Sequence, residues 1–163
     1  MNKTKMLIDK GATLTVDRLY RYLLWRIWDD TKRPALFIGL NPSTADENID
    51  DPTIRRCMGF AMDWGNGGLI MANIFAYRAT NPKELRCIVD PIGRDNDDYL
   101  LSAHKEAGIT ILAWGNGGAY LNRGCIVTKM LAGACHLRMT KQGQPQHPLY
   151  LPKTARPMGV VNG

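Results

Sequence analysis

No stretch of the 163-residue chain approaches the roughly 18 consecutive apolar residues that a membrane-spanning helix needs. Met1 to Lys10 carries three lysines and lacks the apolar core of a signal peptide. A soluble, cytoplasmic chain with no membrane partner is therefore expected. Cysteine is sparse: Cys57, Cys87, Cys125 and Cys135 form no C-x-x-C pair and have no neighbouring histidine pair, which removes the usual pattern of structural zinc. They read as reduced core thiols, with a cysteine-ligated iron–sulfur cluster as the alternative. Neither a G-x-G-x-x-G fingerprint nor a G-x-x-x-x-G-K-[ST] loop is present, so dinucleotide binding and P-loop chemistry lose their usual support. Carboxylates are nearly missing from one region, since residues 101–163 hold seven basic side chains and one acidic.

What is present suits one compact domain: 45% hydrophobic and 22% charged residues, with 16 glycines and 9 prolines, well short of low complexity. The division expected is a single domain over 1–163, with an N-terminal extension over 1–33, a core over 35–151 and a tail over 152–163. The net charge of +6 is uneven, with eight basic and four acidic residues over 1–33 and six and ten over 34–100. A basic surface attracts phosphates, and the pI of about 9.3 leaves nucleic acid an open partner.

Hydrophobic periodicity sets the elements. Leu19 to Trp28 fits a strand with Leu19, Leu23, Trp25 and Ile27 on one face, or a helix stripe through Leu19, Leu23 and Ile27; the short link to the next segment favours the strand. Ala35 to Leu40 is a continuous apolar run of the kind found in buried parallel sheet. Pro42 ends it. Asp51 before Pro52 starts a helix running to about Asp63. Further strands are expected at 69–75, 109–114 and 136–139, with a helical turn opening at 80–82 and helices over 95–107 and about 119–131. Alternation of strands with helices predicts an α/β three-layer sandwich around a central, mainly parallel four-stranded sheet. The pentapeptide Trp-Gly-Asn-Gly-Gly occurs at 64–68 and 114–118, once before a strand and once after one, so both copies read as turns.

Ligands of parallel α/β sheets bind beyond the carboxyl ends of the strands, which directs attention to four segments. They are Gly39-Leu40-Asn41-Pro42-Ser43, Asn73-Ile74-Phe75-Ala76-Tyr77-Arg78, Ala113-Trp114-Gly115-Asn116 and His147-Pro148-Leu149-Tyr150-Leu151. In this order they resemble the uracil-DNA glycosylase superfamily. That superfamily carries a G-x-[ND]-P motif after its first core strand, a strand ending in a base-reading Asn, an apolar strand ending in Trp-Gly and a late His-Pro loop. The mismatch-specific branch is closest at the first motif. N-P-S-T-A-D, D-D-P-T-I-R-R and H-P-L-Y-L also look like an uncharacterised bacterial and phage domain family of the same fold. The resemblance spans about Ala35 to Leu151.

It implies a nucleobase N-glycosidase-like protein, a candidate DNA glycosylase removing a damaged or modified base, and needing no cofactor. Asn41 would orient the water and His147 would stabilise the departing base. Gly39, Leu40, Ser43, Asn73, Phe75 and Tyr77 would line the base site, with Asn73 reading the base edge and Phe75 stacking on it. Arg78, Gly115, Asn116, Arg138, Lys141, Tyr150 and Lys153 would form a phosphate-contacting rim. Each has a plainer reading: a turn at Asn41-Pro42-Ser43, core or rim positions for Phe75 and Tyr77, a loop residue at His147, and solvated surface for the cations. Gly115 to Gly118 also reads as a helix N-terminus with free amides. His104 and His136 read as a helix-surface and a strand residue without chemistry.

Three features depart from that family, one being that the cysteines do not reproduce the iron–sulfur pattern of its thermostable branches, because none precedes the first motif. Asp46, Glu47, Asp50 and Asp51 crowd behind the water-holding motif, where capping, pairing of Asp50 with Arg55 or Arg56, or a divalent metal on Asp46 and Asp50 are the available explanations. Only twelve residues follow Leu151, leaving little to support Leu149, Tyr150 and Leu151 as a wedge, so single-stranded or flipped-base DNA, or a nucleotide, is the expected partner. A non-catalytic module binding a nucleic acid or modified nucleotide, and a metal-dependent nucleotide enzyme, are the alternatives. Oligomeric state has no signature in this sequence.

Overall fold

A computed structural model describes residues 6–159. Six strands form one mixed sheet: β1 (Asp9–Leu14), β2 (Arg21–Ile27), β3 (Ala35–Gly39), β4 (Gly68–Asn73), β5 (Ile109–Leu112) and β6 (Cys135–His136), in the order β1-β2-β4-β3-β5-β6. The four later strands run parallel, while β2 pairs antiparallel with β4 and β1 antiparallel with β2. The expected four strands thus become six. The alternation read at Leu19–Trp28 is a strand of the sheet, and β1 extends it at the edge. β1 escapes hydrophobic patterning because Asp-Lys-Gly-Ala-Thr-Leu has no apolar alternation, its first two residues being exposed and only Gly11 buried, as an edge strand can be.

All five residues of β3 are buried because the strand lies at the centre of the sheet with helices on both faces. One face packs Phe37, Met71 and Ile111 against α1 (Pro52–Asp63) through Ile54, Cys57, Phe60 and Ala61. The other packs Leu36, Ile38, Ile70 and Leu112 against α2 (Asn96–Glu106) and α3 (Arg123–Met130) through Leu100, Ala103 and Val127. Asp51 caps α1, its Oδ1 accepting from the Ile54 amide at 2.8 Å, with Pro52 in the first turn. Gly65 at φ +78° stops that helix in a left-handed conformation suited to glycine. The helix expected over 119–131 is split: a 3-10 segment, Asn116–Asn122, precedes α3 and ends in Leu121 and Asn122 at positive φ, which break the helical path.

On β2 Arg21, Tyr22, Leu24 and Arg26 are buried, with Trp28 just beyond it, so Leu23, Trp25 and Ile27 of the expected face are half-buried and Leu19 is exposed. A polar residue holds the inner face. Arg26 donates to Asp50 at 2.8 Å and to the carbonyls of Asp46 at 2.7 Å and Trp25 at 2.8 Å, which satisfies its buried guanidinium and ties the 46–50 loop to the sheet. Of the cysteines only Cys57 is a core thiol; Cys87 and Cys125 are exposed and Cys135 is half-buried. Among the described residues no group of three or more His, Cys, Asp or Glu side chains is arranged to hold a metal or cluster, and no helix is long and apolar enough to cross a membrane.

Candidate functional site

The parallel register sets Gly39 beside Asn73 at the carboxyl ends of β3 and β4. A Cβ on Gly39 would stand 2.9 Å from Asn73 Oδ1, so glycine leaves the room that the Asn73 amide occupies. The backbone at that strand end is held from behind. Asn96 Nδ2 donates to the carbonyls of Asn73 at 2.8 Å and Ile74 at 3.2 Å, and Arg123 Nε donates to Ile74 O at 2.9 Å. Arg123 also pairs with Asp97. The Asn73 side chain is 2% exposed and its Nδ2 has no partner among the described residues. A buried donor left open in this way costs stability unless a ligand or water accepts from it.

Asn73 lines a cavity of about 210 Å³ together with Gly39, Leu40, Asn41, Ser43 and His147. Asn41 has both amide hydrogens committed, Nδ2 donating to Ala79 O at 2.7 Å and Pro42 O at 3.0 Å, which leaves Oδ1 as its acceptor. His147 opens the 3-10 segment Pro148–Tyr150, and its Nδ1 accepts from the Leu149 amide at 3.2 Å. That bond places the proton of the neutral ring on Nε2. Burial holds the His147 pKa below its ordinary value, against the opposing charge of Asp51, so the ring is a neutral donor.

Two charged residues of this cavity were not singled out as site residues from the sequence. Asp51, read there only as a helix cap, lines the wall; one carboxylate oxygen caps α1 and the other has no hydrogen-bond partner among the described residues. Arg21 is 3% exposed, donates from Nη1 to Ala45 O at 2.9 Å, and has a buried Nε without a partner. Burial pushes its pKa down to about 10, with Asp51 opposing and Arg78 and Arg26 reinforcing the shift, and it stays cationic at neutral pH. Nothing in the sequence marks an arginine as buried; the one signal is its place at the start of a strand. Trp114 completes the wall, its Nε1 donating to Gln144 Oε1 at 2.9 Å, with Gly118 and Gly124 leaving space for its ring.

Other expected site residues lie elsewhere. Phe75 is fully buried on the α2 and α3 side of the sheet, 5.6 Å from the Tyr120 ring, and does not line the cavity. Strand alternation from Asn73 would have carried it to the cavity side, but β4 ends at Asn73 and the turn that follows swings it away. Tyr77 packs edge-on against Tyr20 at 5.6 Å, outside the cavity. The Gly115 amide donates to Pro145 O at 2.6 Å, Asn116 donates from Nδ2 to Gln142 at 3.1 Å and accepts from Thr140 at 2.6 Å, and neither residue lines the cavity. Arg138 and Lys141 are exposed and line no part of the cavity. Lys153 and Leu149 border a separate groove of about 530 Å³ beside Arg55 and Arg56 on α1. Tyr150 is 81% exposed, whereas Leu151 is core and unavailable as a wedge.

The acidic cluster is accounted for without metal. Asp46 Oδ1 accepts from the amides of Asn48 and Ile49, both at 2.8 Å, which lowers its pKa; the Asp50 carboxylate pairs with Arg26, while Arg55 donates to the Asp50 backbone carbonyl at 3.3 Å. Glu47 pairs with Arg18 at 3.1 Å. Asp46 and Asp50 are thus engaged by amides and a guanidinium, and among the described residues no group of three or more His, Cys, Asp or Glu side chains is arranged to hold a metal. His104 bridges Thr110 Oγ1 at 2.7 Å and Ala132 O at 2.9 Å, a structural role.

A family model described as "Protein of unknown function (DUF1643)" matches residues 21–149, more than three quarters of the chain. The chain belongs to this family. The match opens at Arg21 and closes at Leu149, so every residue lining the cavity, from Arg21 to His147, lies within the family region, while β1 precedes it. No curated protein and no solved structure matches the chain.

Proposed function

We propose that this DUF1643 protein is a hydrolase of nucleobase–sugar bonds. The reading rests on one observation: Asn41, Asp51, Asn73 and His147, far apart in sequence, line a single cavity at the carboxyl ends of the parallel strands. The likeness of their motifs to the uracil-DNA glycosylase superfamily supports it. At about 210 Å³ the cavity is smaller than the roughly 300–1,000 Å³ of sites for drug-sized ligands, a size suited to one heterocycle.

Water accepts orientation from Asn41 Oδ1 and gives its proton to the free oxygen of Asp51 as its oxygen bonds to the anomeric carbon. The carbon–nitrogen bond breaks and its electron pair leaves with the base. Negative charge on the departing base is met by His147 Nε2–H and Asn73 Nδ2–H, donors fixed before the reaction. Desolvation strengthens these contacts.

The test is mass-spectrometric detection of released base from nucleotides and single- and double-stranded oligonucleotides carrying uracil, hypoxanthine and modified pyrimidines. The wild type releases base, and His147→Ala and Asp51→Asn lower the rate by 10²-fold or more, the order expected for lost acid–base and electrostatic assistance. No release from any substrate by the folded wild type contradicts the proposal. It would favour the second reading, a module that binds a nucleotide without cleaving it, which draws on the engagement of Asp51 as the α1 cap.

A further inference from the structure

A second pocket, of about 370 Å³, shares Ser43, Ala79 and Thr80 with the cavity and continues past them to Arg18, Thr44 and Arg78. Arg78 donates from Nη1 to Arg18 O at 3.2 Å, yet its Nε is buried without a partner and no carboxylate pairs with it among the described residues. Arg18 differs: it is held by Glu47 at 3.1 Å and lies 3.8 Å from Asp46. The hydroxyls of Ser43, Thr44 and Thr80 have no intramolecular partner among the described residues. A guanidinium with an open donor and no ion pair, in a pocket that Ser43, Thr44 and Thr80 also line, is the chemistry that receives a phosphate. The same deficit recurs in the adjoining cavity, where the buried Arg21 Nε also lacks a partner among the described residues.

We propose that the Arg78 pocket is a phosphate subsite and that the ligand of the joined cavities is a nucleoside monophosphate. The inference rests on the nucleobase reading of the cavity and narrows it. Charge favours a single phosphate over a strand. One guanidinium lacks an ion pair among the described residues, and a phosphodiester chain continuing past Arg18 meets Asp46 and Glu47, which would repel it.

Calorimetry with ribo- and deoxyribonucleoside 5′- and 3′-monophosphates, the matching nucleosides and a twelve-residue single strand decides it. At least one monophosphate binds tenfold or more tightly than its nucleoside, and more tightly than the strand. Arg78→Gln and, separately, Ser43→Ala lower that phosphate-dependent ratio, with thermal unfolding reporting that each variant is folded. Equal binding of nucleoside and monophosphate, tighter binding of the strand, or a ratio unmoved in both folded variants overturns the proposal. The two readings fail separately. A phosphate-dependent ratio without base release leaves the subsite standing and removes the hydrolase, whereas equal release from nucleosides and monophosphates does the reverse.

Discussion

Asn73 and His147 act as donors for different reasons, and both reasons are testable. Asn73 depends on Gly39: a Cβ there crowds Asn73 Oδ1 and Met71 Cε, two flexible groups that can yield. Gly39→Ala is expected to cost about 1 kcal/mol of stability, the low end of overpacking, while moving the Asn73 amide and lowering ligand affinity by more than that cost implies. Urea unfolding beside ligand titration checks the pair of effects. His147 is held neutral by burial, so its native pKa is below its unfolded value. Its contribution to stability is therefore complete above the unfolded value near 6.5 and is lost as pH falls through the lower native value. His147→Gln should lose less stability than the wild type between pH 7 and pH 5, read as the shift in urea midpoint.

Asn41, Asn73 and His147 were legible in the sequence because each follows an apolar strand or opens a Pro-initiated turn. Arg21 and Asp51 were not, since the burial of Arg21 and the second face of a capping aspartate depend on tertiary packing. Phe75 was misplaced for a related reason, because alternation predicts a face only while strand pairing lasts.

At the scale of elements, α1 and the turn before β4 carry separable predictions. Asp51 both caps α1 and lines the cavity. Asp51→Ala should cost about 1 kcal/mol through the lost cap, whereas Asp51→Asn keeps a capping oxygen and should lose far less. Thermal unfolding of the two variants distinguishes cap from charge. In the first Trp-Gly-Asn-Gly-Gly turn, a Cβ on Gly67 would overlap the backbone carbonyl oxygens of Asp29 and Lys32, which cannot swing aside as a side chain can. Gly67→Ala should destabilise the protein by more than about 3 kcal/mol, measured by urea denaturation. The central strands and α1 were readable because an apolar run and a cap followed by proline are local signals. β1 was not, as its pairing with β2 supplies the order that its composition lacks.

Across the whole molecule, the surplus of basic residues in the last third does not gather at the cavity. Arg138 and Lys141 are exposed, and Lys153 borders the groove on α1. The charges that bear on the cavity are Arg21 and Asp51 within it and Arg78 beside it, all from the first half of the chain. Net charge is thus a poor guide here to where an anion binds, because burial and pairing decide which cations are available. The central claim is that the open Asn73 donor meets a nucleobase. Nuclear magnetic resonance of the ¹⁵N-labelled protein, with the Asn73 side-chain amide signals assigned by their loss in Asn73→Asp, tests it most directly. Titration with the nucleoside monophosphates should shift the Asn73 Nδ2 signals and the His147 ring together; saturating every ligand of that set with both unmoved would contradict the account.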